Sequence, residues 1–327
     1  MKEISQDRYG SAAVLESTEA SIPDIGDDQV LLRVLAAGVN PADWAIMSGL
    51  PYIARPAYGL RRPKAGIRGT DVSGTVEAVG SLVTRFKPGD EVFGSADGSY
   101  AEYAAAFENT LAPKPANLTF EQAASVPMAG LVALQALRGV SAGQHVLING
   151  ASGGIGIFAV QIAKSLGAEV TAVASTRNLD MVRSIGADHV VDYTTEDFTR
   201  GERRYDLILD NVSNHSLSEL RRALTPTGIL VPNGGRFDKR WFARGGRLIA
   251  GMVMFRFVSQ TLRTFIMSPT PENLVELKEL IESGRVTPVM DRAYPLSETA
   301  AAIGHVGEGH ARGKTVISVA PHAQPIV

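Results

Sequence analysis

The sequence predicts an α/β protein, a doubly wound parallel sheet joined to a β-rich region, and three observations predict it. Strand-like and helix-like runs alternate from about Thr119 through "TGILVPNGG". The stretch 147–156, "LINGASGGIG", packs four glycines into ten positions directly after an apolar run. Up to about residue 116 the chain reads as strands and turns with no strong long helix.

In that first part "QVLLRVLAAGV" is apolar and β-friendly, and "DVSGTVEAVG" alternates before the Pro-Gly turn of "KPGD" and the run "EVFG". "PADWAIMSG" is a candidate short helix. At "TFEQ" the pattern changes: Thr119 fits a helix cap with Gln122 three residues on, the reciprocal arrangement of a capping box. The next stretch, "AASVPMAGLVALQALRG", is a helix candidate with a kink expected at Pro127. "HVLIN", "AEVTAVAS", "ADHVVDY", "YDLILDNV" and "TGILVPNGG" read as strands. "GGIGIFAVQIAKSLG", "NLDMVRSIG" and "SLSELRRAL" read as the helices between them. Repeated βα order argues for a parallel sheet with helices on both faces. Towards the end, "PTPENLVELKELIESG" is a helix capped by Thr270, with Pro271 at its first position and Gly284 beyond its last turn. "SETAAAIGHVGEG" is a further helix and "KTVISV" a closing strand.

Composition bounds the function. A chain of 327 residues exceeds what one hydrophobic core usually serves, so two domains are expected. Its net charge of −2 creates no global field to draw nucleic acid or membrane. There is no cysteine, which removes disulfides, thiolate nucleophiles and cysteine-ligated zinc together. The start has no apolar signal core, and no run of about 18 apolar residues reads as a membrane span. A cytoplasmic enzyme is therefore the expectation.

The glycine turn points to a ligand. "HVLIN" supplies a strand before it, and the following helix carries Ile155, Phe158, Ile162 and Leu166 at spacings of three or four, a buried stripe. The pattern is Ala151-x-Gly153-x-x-Gly156, with alanine at the first usual glycine. Gly153 would let backbone approach a pyrophosphate, and Gly156 would let helix and strand pack closely. Ser152, Gly153, Gly154, Ile155 and Gly156 are thus candidate cofactor-binding residues, at a helix tip with unpaired N–H groups and a partial positive charge. A P-loop does not fit, because no Gly-Lys-Ser/Thr follows. Folds that bind NAD place a carboxylate at the end of the second strand for the ribose 2′-hydroxyl. Here that region is "VASTRN", with Ser175 at that place and Arg177 after it. A carboxylate would repel a 2′-phosphate, whereas a hydroxyl and a guanidinium would bind it, so NADPH is expected. Tyr193, at the end of "VVDY", is placed to flank the adenine.

The chain resembles the medium-chain dehydrogenase/reductase superfamily, in its zinc-free quinone oxidoreductase branch. The resemblance is carried by "AAGVNPADW", "GTDVSGTVEAVGSLVTRFKPGDEVFG", "AASVPMAGLVALQAL", "GASGGIG" and "GHARGKTVISV". It implies a GroES-like domain made from both chain ends, residues 1–121 and 269–327, around a Rossmann domain of residues 122–268. It also implies reduction of quinones or α,β-unsaturated carbonyls with NADPH, and a homodimer joined through the edge strand "TLRTFIMS". Two departures stand out. Gly69-Thr70-Asp71 occupies the place of the Gly-His-Glu triplet of zinc-dependent relatives. Val132 stands where relatives often carry a threonine near the nicotinamide carboxamide.

The residues themselves favour conjugated substrates. Reducing a simple ketone builds charge on one alkoxide oxygen, which enzymes meet with a metal or a positioned acid. The six histidines show no metal-ligand spacing, so no metal site is expected, and no tyrosine has a lysine four residues later. Hydride addition to a quinone or enone spreads the charge, so proximity and orientation can supply much of the acceleration. Two polar helpers are expected near "NPADWAIMSGLPY". Asn40 matches the family's cleft asparagine, and Tyr52 can give a proton or hydrogen bond to the substrate oxygen. Asp43 reads as a helix-start residue.

The segment 236–263 carries seven basic residues and one acid, with apolar residues between. It reads as a cleft-covering loop with the dimer-edge strand, or as a weak membrane contact where a lipid-soluble quinone would be met. No basic stripe with interleaved aromatics stands outside it, so no nucleic-acid role is expected. Two rival functions remain open from sequence: a zinc-free alcohol or ketone dehydrogenase, and a dinucleotide-binding sensor or structural protein with little turnover.

Overall fold

The alternating run "QVLLRVLAAGV" forms an 11-residue strand, Gln29–Val39. Val30, Leu32 and Val34 are buried while Arg33 faces solvent, the period-2 pattern of a half-buried strand. One edge of this strand pairs antiparallel with Asp71–Val79, which continues through Glu91–Ser95 to Leu111–Pro113. The other edge is shared: Tyr103–Phe107 covers residues 29–33, and Lys314–Ser318 covers 36–39. Met290–Pro295 lies parallel beyond Lys314–Ser318. The sheet thus joins the first and last parts of the chain, the GroES-like arrangement. One apolar cluster, including Val30, Leu32, Val72 and Leu111, and a second, including Ile4, Val39, Met47, Tyr100, Ile303 and Ile317, fill this unit.

The computed structural model describes residues 1–52, 55–64, 66, 69–234, 245–309 and 311–319. The chain divides into two units: Met1–Leu131 with Ser268–Gly284 and Pro288–Val327, and Val132–Met267 with Arg285–Thr287. The last three residues join the second unit because Gln161, itself buried, brackets Thr287. Its Nε2 donates to the Thr287 carbonyl at 2.9 Å, and its Oε1 accepts from the Thr287 N–H at 2.8 Å.

The second unit is the Rossmann domain, and its elements are numbered here. The strands are β1 (His145–Asn149), β2 (Glu169–Ala174), β3 (His189–Asp192), β4 (Tyr205–Asp210), β5 (Leu224–Pro232) and β6 (Thr261–Leu262). The helices are α1 (Gly154–Ser165), α2 (Leu179–Ser184), α3 (Leu217–Ala223) and α4 (Gly245–Phe255). All six strands are parallel, in the order β3-β2-β1-β4-β5-β6. The chain direction across the sheet therefore reverses between β1 and β4. A crevice outside the carboxyl ends at such a reversal is where doubly wound folds bind ligands. No helix among the described residues is long and apolar enough to cross a membrane.

Several sequence expectations change in the structure. Pro127 does not kink one helix; it opens a second, Pro127–Ala136, after the short Phe120–Ala124. Proline lacks the N–H that a helix start does not need, so it sits at the first turn. The box at Thr119 and Gln122 forms as expected, with bonds of 3.2 and 3.0 Å. Helix α1 has no single buried stripe: Gly156 through Ala163 are all buried, while Leu166 beyond its end is 40% exposed. A helix apolar all round is a buried one. The segment expected as a loop and strand holds helix α4, and only Thr261–Leu262 of "TLRTFIMS" pairs as strand. Residues 235–244 lie outside the described residues.

Candidate functional site

The glycine turn and the ends of β2 and β3 form one constellation in the Rossmann unit. Gly150 leaves β1 with φ +81°, a conformation L side chains rarely adopt. Its carbonyl accepts from the Gly153 N–H at 3.3 Å, closing the turn. The glycines have different reasons to be glycine. A Cβ on Gly156 would lie 2.3 Å from the Gly150 carbonyl oxygen, so this position is fixed by the fold itself. A Cβ on Gly153 would meet nothing closer than 3.6 Å. The fold itself therefore does not demand glycine at 153. Residues 152–155 are partly exposed at the start of α1, where the first N–H groups lack intrahelical acceptors.

Across from this turn, Ser175 directly follows β2 and caps the single turn Thr176–Asn178, with Arg177 exposed beside it. Asn178 is buried and donates from Nδ2 to Ser152 Oγ at 3.1 Å and to Ser175 Oγ at 3.2 Å. Tyr193 follows β3 and is 58% exposed. A carboxylate does stand nearby, but it is occupied. Asp192 accepts from Thr176 Oγ1 at 2.5 Å on one oxygen and from Thr194 Oγ1 at 2.7 Å on the other. The Thr176 bond, then those of Thr194, hold its pKa below the usual carboxylate range. At the reversal between β1 and β4, Asn149 donates to Asp210 Oδ1 at 2.9 Å. Val132 is buried and offers no side-chain polar atom.

The polar residues expected near the substrate lie in the other unit. Asn40 caps the helix Pro41–Ser48, and its N–H donates to Asp43 Oδ2 at 2.7 Å. Asp43 is thus a helix-start residue, as its position in the sequence suggested. Asn40 is 2% exposed and its amide is engaged at both ends. Nδ2 donates to Asp71 Oδ2 at 2.9 Å, and Oδ1 accepts from Lys314 Nζ at 2.5 Å. Asp71 also accepts from the Met128 N–H at 3.1 Å. Two carboxylates and one ammonium therefore share a dry core with the Tyr100 phenol. Burial raises the pKa of Asp43 to about 6 against its bond from the Asn40 backbone, and Asp71 adds to the rise. Burial also raises Asp71 and lowers Lys314, each opposed by the other's charge. Tyr52 is half-buried, with the Arg55 guanidinium 4.5 Å from its ring centre and 4.6 Å from that of Tyr9.

Two buried polar residues carry little signal in the sequence. Asn178 adjoins Arg177 but belongs to no motif of its own. Lys314 lies in "GKTVISV", where its signal is a charge at the start of an apolar strand. Among the described residues no group of three or more His, Asp or Glu is placed to hold a metal ion.

The comparisons with known proteins agree with this architecture. Residues 26–116 match the family model described as alcohol dehydrogenase GroES-like domain, and residues 185–317 the one described as zinc-binding dehydrogenase. The mouse protein "NAD(P)H oxidoreductase RTN4IP1, mitochondrial" is 34% identical over 96% of this chain and 88% of its own length. The chain belongs to the medium-chain dehydrogenase/reductase superfamily, in its zinc-free quinone oxidoreductase branch. The tomato protein "2-methylene-furan-3-one reductase" is 33% identical over 98% of this chain and 80% of its own length. The solved quinone oxidoreductase from Coxiella burnetii superposes with a TM-score of 0.85 at 30% identity, covering 98% of this chain and 99% of that one. The superfamily membership makes this chain an oxidoreductase.

Proposed function

We propose that this chain is an NADPH-dependent, zinc-independent reductase that transfers hydride to quinones or α,β-unsaturated carbonyls. The observation that carries the cofactor reading is Gly153, open to an approaching phosphate in a turn where Gly150 and Gly156 are demanded by the fold. The constellation fits a dinucleotide: Ser152, Gly153, Gly154, Ile155 and Gly156 would hold the pyrophosphate, Ser175 and Arg177 the 2′-phosphate, and Tyr193 the adenine face. The neighbouring carboxylate, Asp192, has both oxygens engaged by threonines, so it is not a free acceptor for a ribose hydroxyl. When bound, NADPH supplies a hydride to the electrophilic carbon of the acceptor.

The acceptor class is supported by the donor set. No cysteine is present, and the Asn40 side-chain amide is engaged by Asp71 and Lys314, so it supplies no acid to the acceptor. A conjugated acceptor distributes the added electron pair over several atoms, and in this reading Tyr52 would give its phenolic hydrogen bond to the oxygen that gains charge. The names of two relatives point the same way, one a quinone oxidoreductase and one a reductase of an α,β-unsaturated ketone.

The test is oxidation of NADPH and NADH against a quinone, an enone and a simple ketone. Turnover with the first two and NADPH is expected; turnover with the ketone alone would establish a ketone dehydrogenase instead. Arg177→Ala should weaken NADPH by about tenfold, the loss of a charge-assisted contact, and leave NADH nearly unchanged. Equal losses would remove Arg177 from the 2′-phosphate site. A second reading, dinucleotide binding with little turnover, rests on Val132, which lacks the hydroxyl many relatives place by the carboxamide. It predicts tight NADPH binding and no oxidation with any acceptor.

A further inference from the structure

We infer that Asn178 is a positioning residue that sets the spacing between the pyrophosphate cradle and the 2′-phosphate site, and so governs the preference for NADPH. The inference rests on the cofactor reading above. Ser152 belongs to the glycine turn after β1, and Ser175 to the end of β2. These are separate loops on neighbouring strands, and one amide group links them. Asn178 Nδ2 donates to Ser152 Oγ at 3.1 Å and to Ser175 Oγ at 3.2 Å.

The direction of these bonds matters. Each serine oxygen accepts from the amide, so its own O–H hydrogen is left for an acceptor elsewhere. Asn178 Oδ1 is buried without a hydrogen-bond partner, so the amide's bonds to the two serines run from its N–H donors. Two hydroxyls are therefore set as donors, as phosphate oxygens require. The residue is 4% exposed, so it touches no ligand itself and acts through the two serines. Its backbone, at φ −111° and ψ −2°, closes the turn Thr176–Asn178 and opens α2, which anchors the amide on a helix start rather than a free loop.

A ligand that occupies two subsites at once depends on their separation; a ligand that occupies one does not. This gives a readout that a general loss of structure would not produce. Binding is measured by calorimetry for 2′,5′-ADP, which carries both phosphates, and for 2′-AMP and 5′-AMP, which carry one each. With Asn178→Ala, the Kd of 2′,5′-ADP should rise about tenfold, while those of the two monophosphates should change less than about threefold. Asn178→Asp should hold the loops but take both serine hydrogens and bring a charge, so NADPH should weaken at least about tenfold more than NADH. Should Asn178→Ala fail to fold, the aspartate variant carries the test alone. Equal weakening of all three adenosine ligands, or no weakening, overturns the inference. If the unaltered protein binds 2′,5′-ADP no better than 5′-AMP, the 2′-phosphate reading itself falls, a result distinct from a failure confined to Asn178.

Discussion

The ammonium of Lys314 lies 2.5 Å from the amide oxygen of Asn40, and both residues are 2% exposed. The amide passes this contact on to Asp71, so a residue near the end of the chain is tied to two in its first quarter. Removing the cation leaves buried carboxylates without compensation. Lys314→Met should therefore cost about 3–5 kcal/mol in urea unfolding, while adding Asp71→Leu should restore part of the loss. A double variant less stable than the single one would show that Asp71 owes its stability to other partners.

The Asp43 carboxyl gives the protein a pH dependence of unusual sign. Its pKa rises from 3.8 to about 6 on folding because burial and the charge of Asp71 disfavour the ionised form. The folded state thus holds a proton that the unfolded state has already released. This group's contribution to stability is complete below pH 3.8 and is lost as pH rises through about 6. The shift amounts to roughly 3 kcal/mol. Carboxylates held below their usual range, such as Asp192, act in the opposite sense, so the comparison must be with Asp43→Asn. The unaltered protein should lose stability relative to that variant between pH 4 and pH 7. A constant difference would contradict the raised pKa.

Gly153 and Gly156 should separate folding from binding. Gly156→Ala forces a Cβ to within 2.3 Å of a backbone oxygen and should destabilise by about 3 kcal/mol or more. Gly153→Ala has space, its nearest neighbour at 3.6 Å, and an ordinary backbone at φ −84° and ψ 174°. It should fold with an unchanged melting temperature and bind dinucleotide at least about tenfold more weakly. Unchanged affinity in Gly153→Ala would move the pyrophosphate away from this turn.

What the sequence made legible follows from what periodicity reports. The βα alternation gave the parallel sheet, because apolar spacing and turn residues act locally. The caps at Thr119 and Thr270 were legible for the same reason, each a bond to a neighbour three residues away. Helix α4 was hidden because its segment opens on two glycines, poor helix formers, after a run dense in basic residues that reads as loop. The Asn40–Asp71–Lys314 network was hidden because its members are 31 and 274 residues apart, and only the closing strand from the far end of the chain brings them together. Asn178 lay beside a residue singled out for its charge, yet its importance comes from what its amide reaches, which composition does not encode.

Helix α4 presents Ile249, Met252 and Val253 at 53–65% exposure, with Phe257 just beyond it at 81%. Its opposite side, through Phe255, joins the core beneath the sheet. Apolar residues on both sides of a helix imply that the outer side is covered in solution. Among the described residues strand β6 beside it pairs only with β5, which leaves its other edge open there, and Ile266 beyond it is 95% exposed. A second copy of this chain can cover both at once, so a homodimer is the expected state. Val253→Glu should convert it to a monomer by light scattering while leaving NADPH binding within about threefold. No acidic residue occurs between Asp238 and Glu272, so an anionic membrane is the competing cover. Salt-sensitive flotation with anionic vesicles, together with a monomer in the unaltered protein, would decide for the membrane.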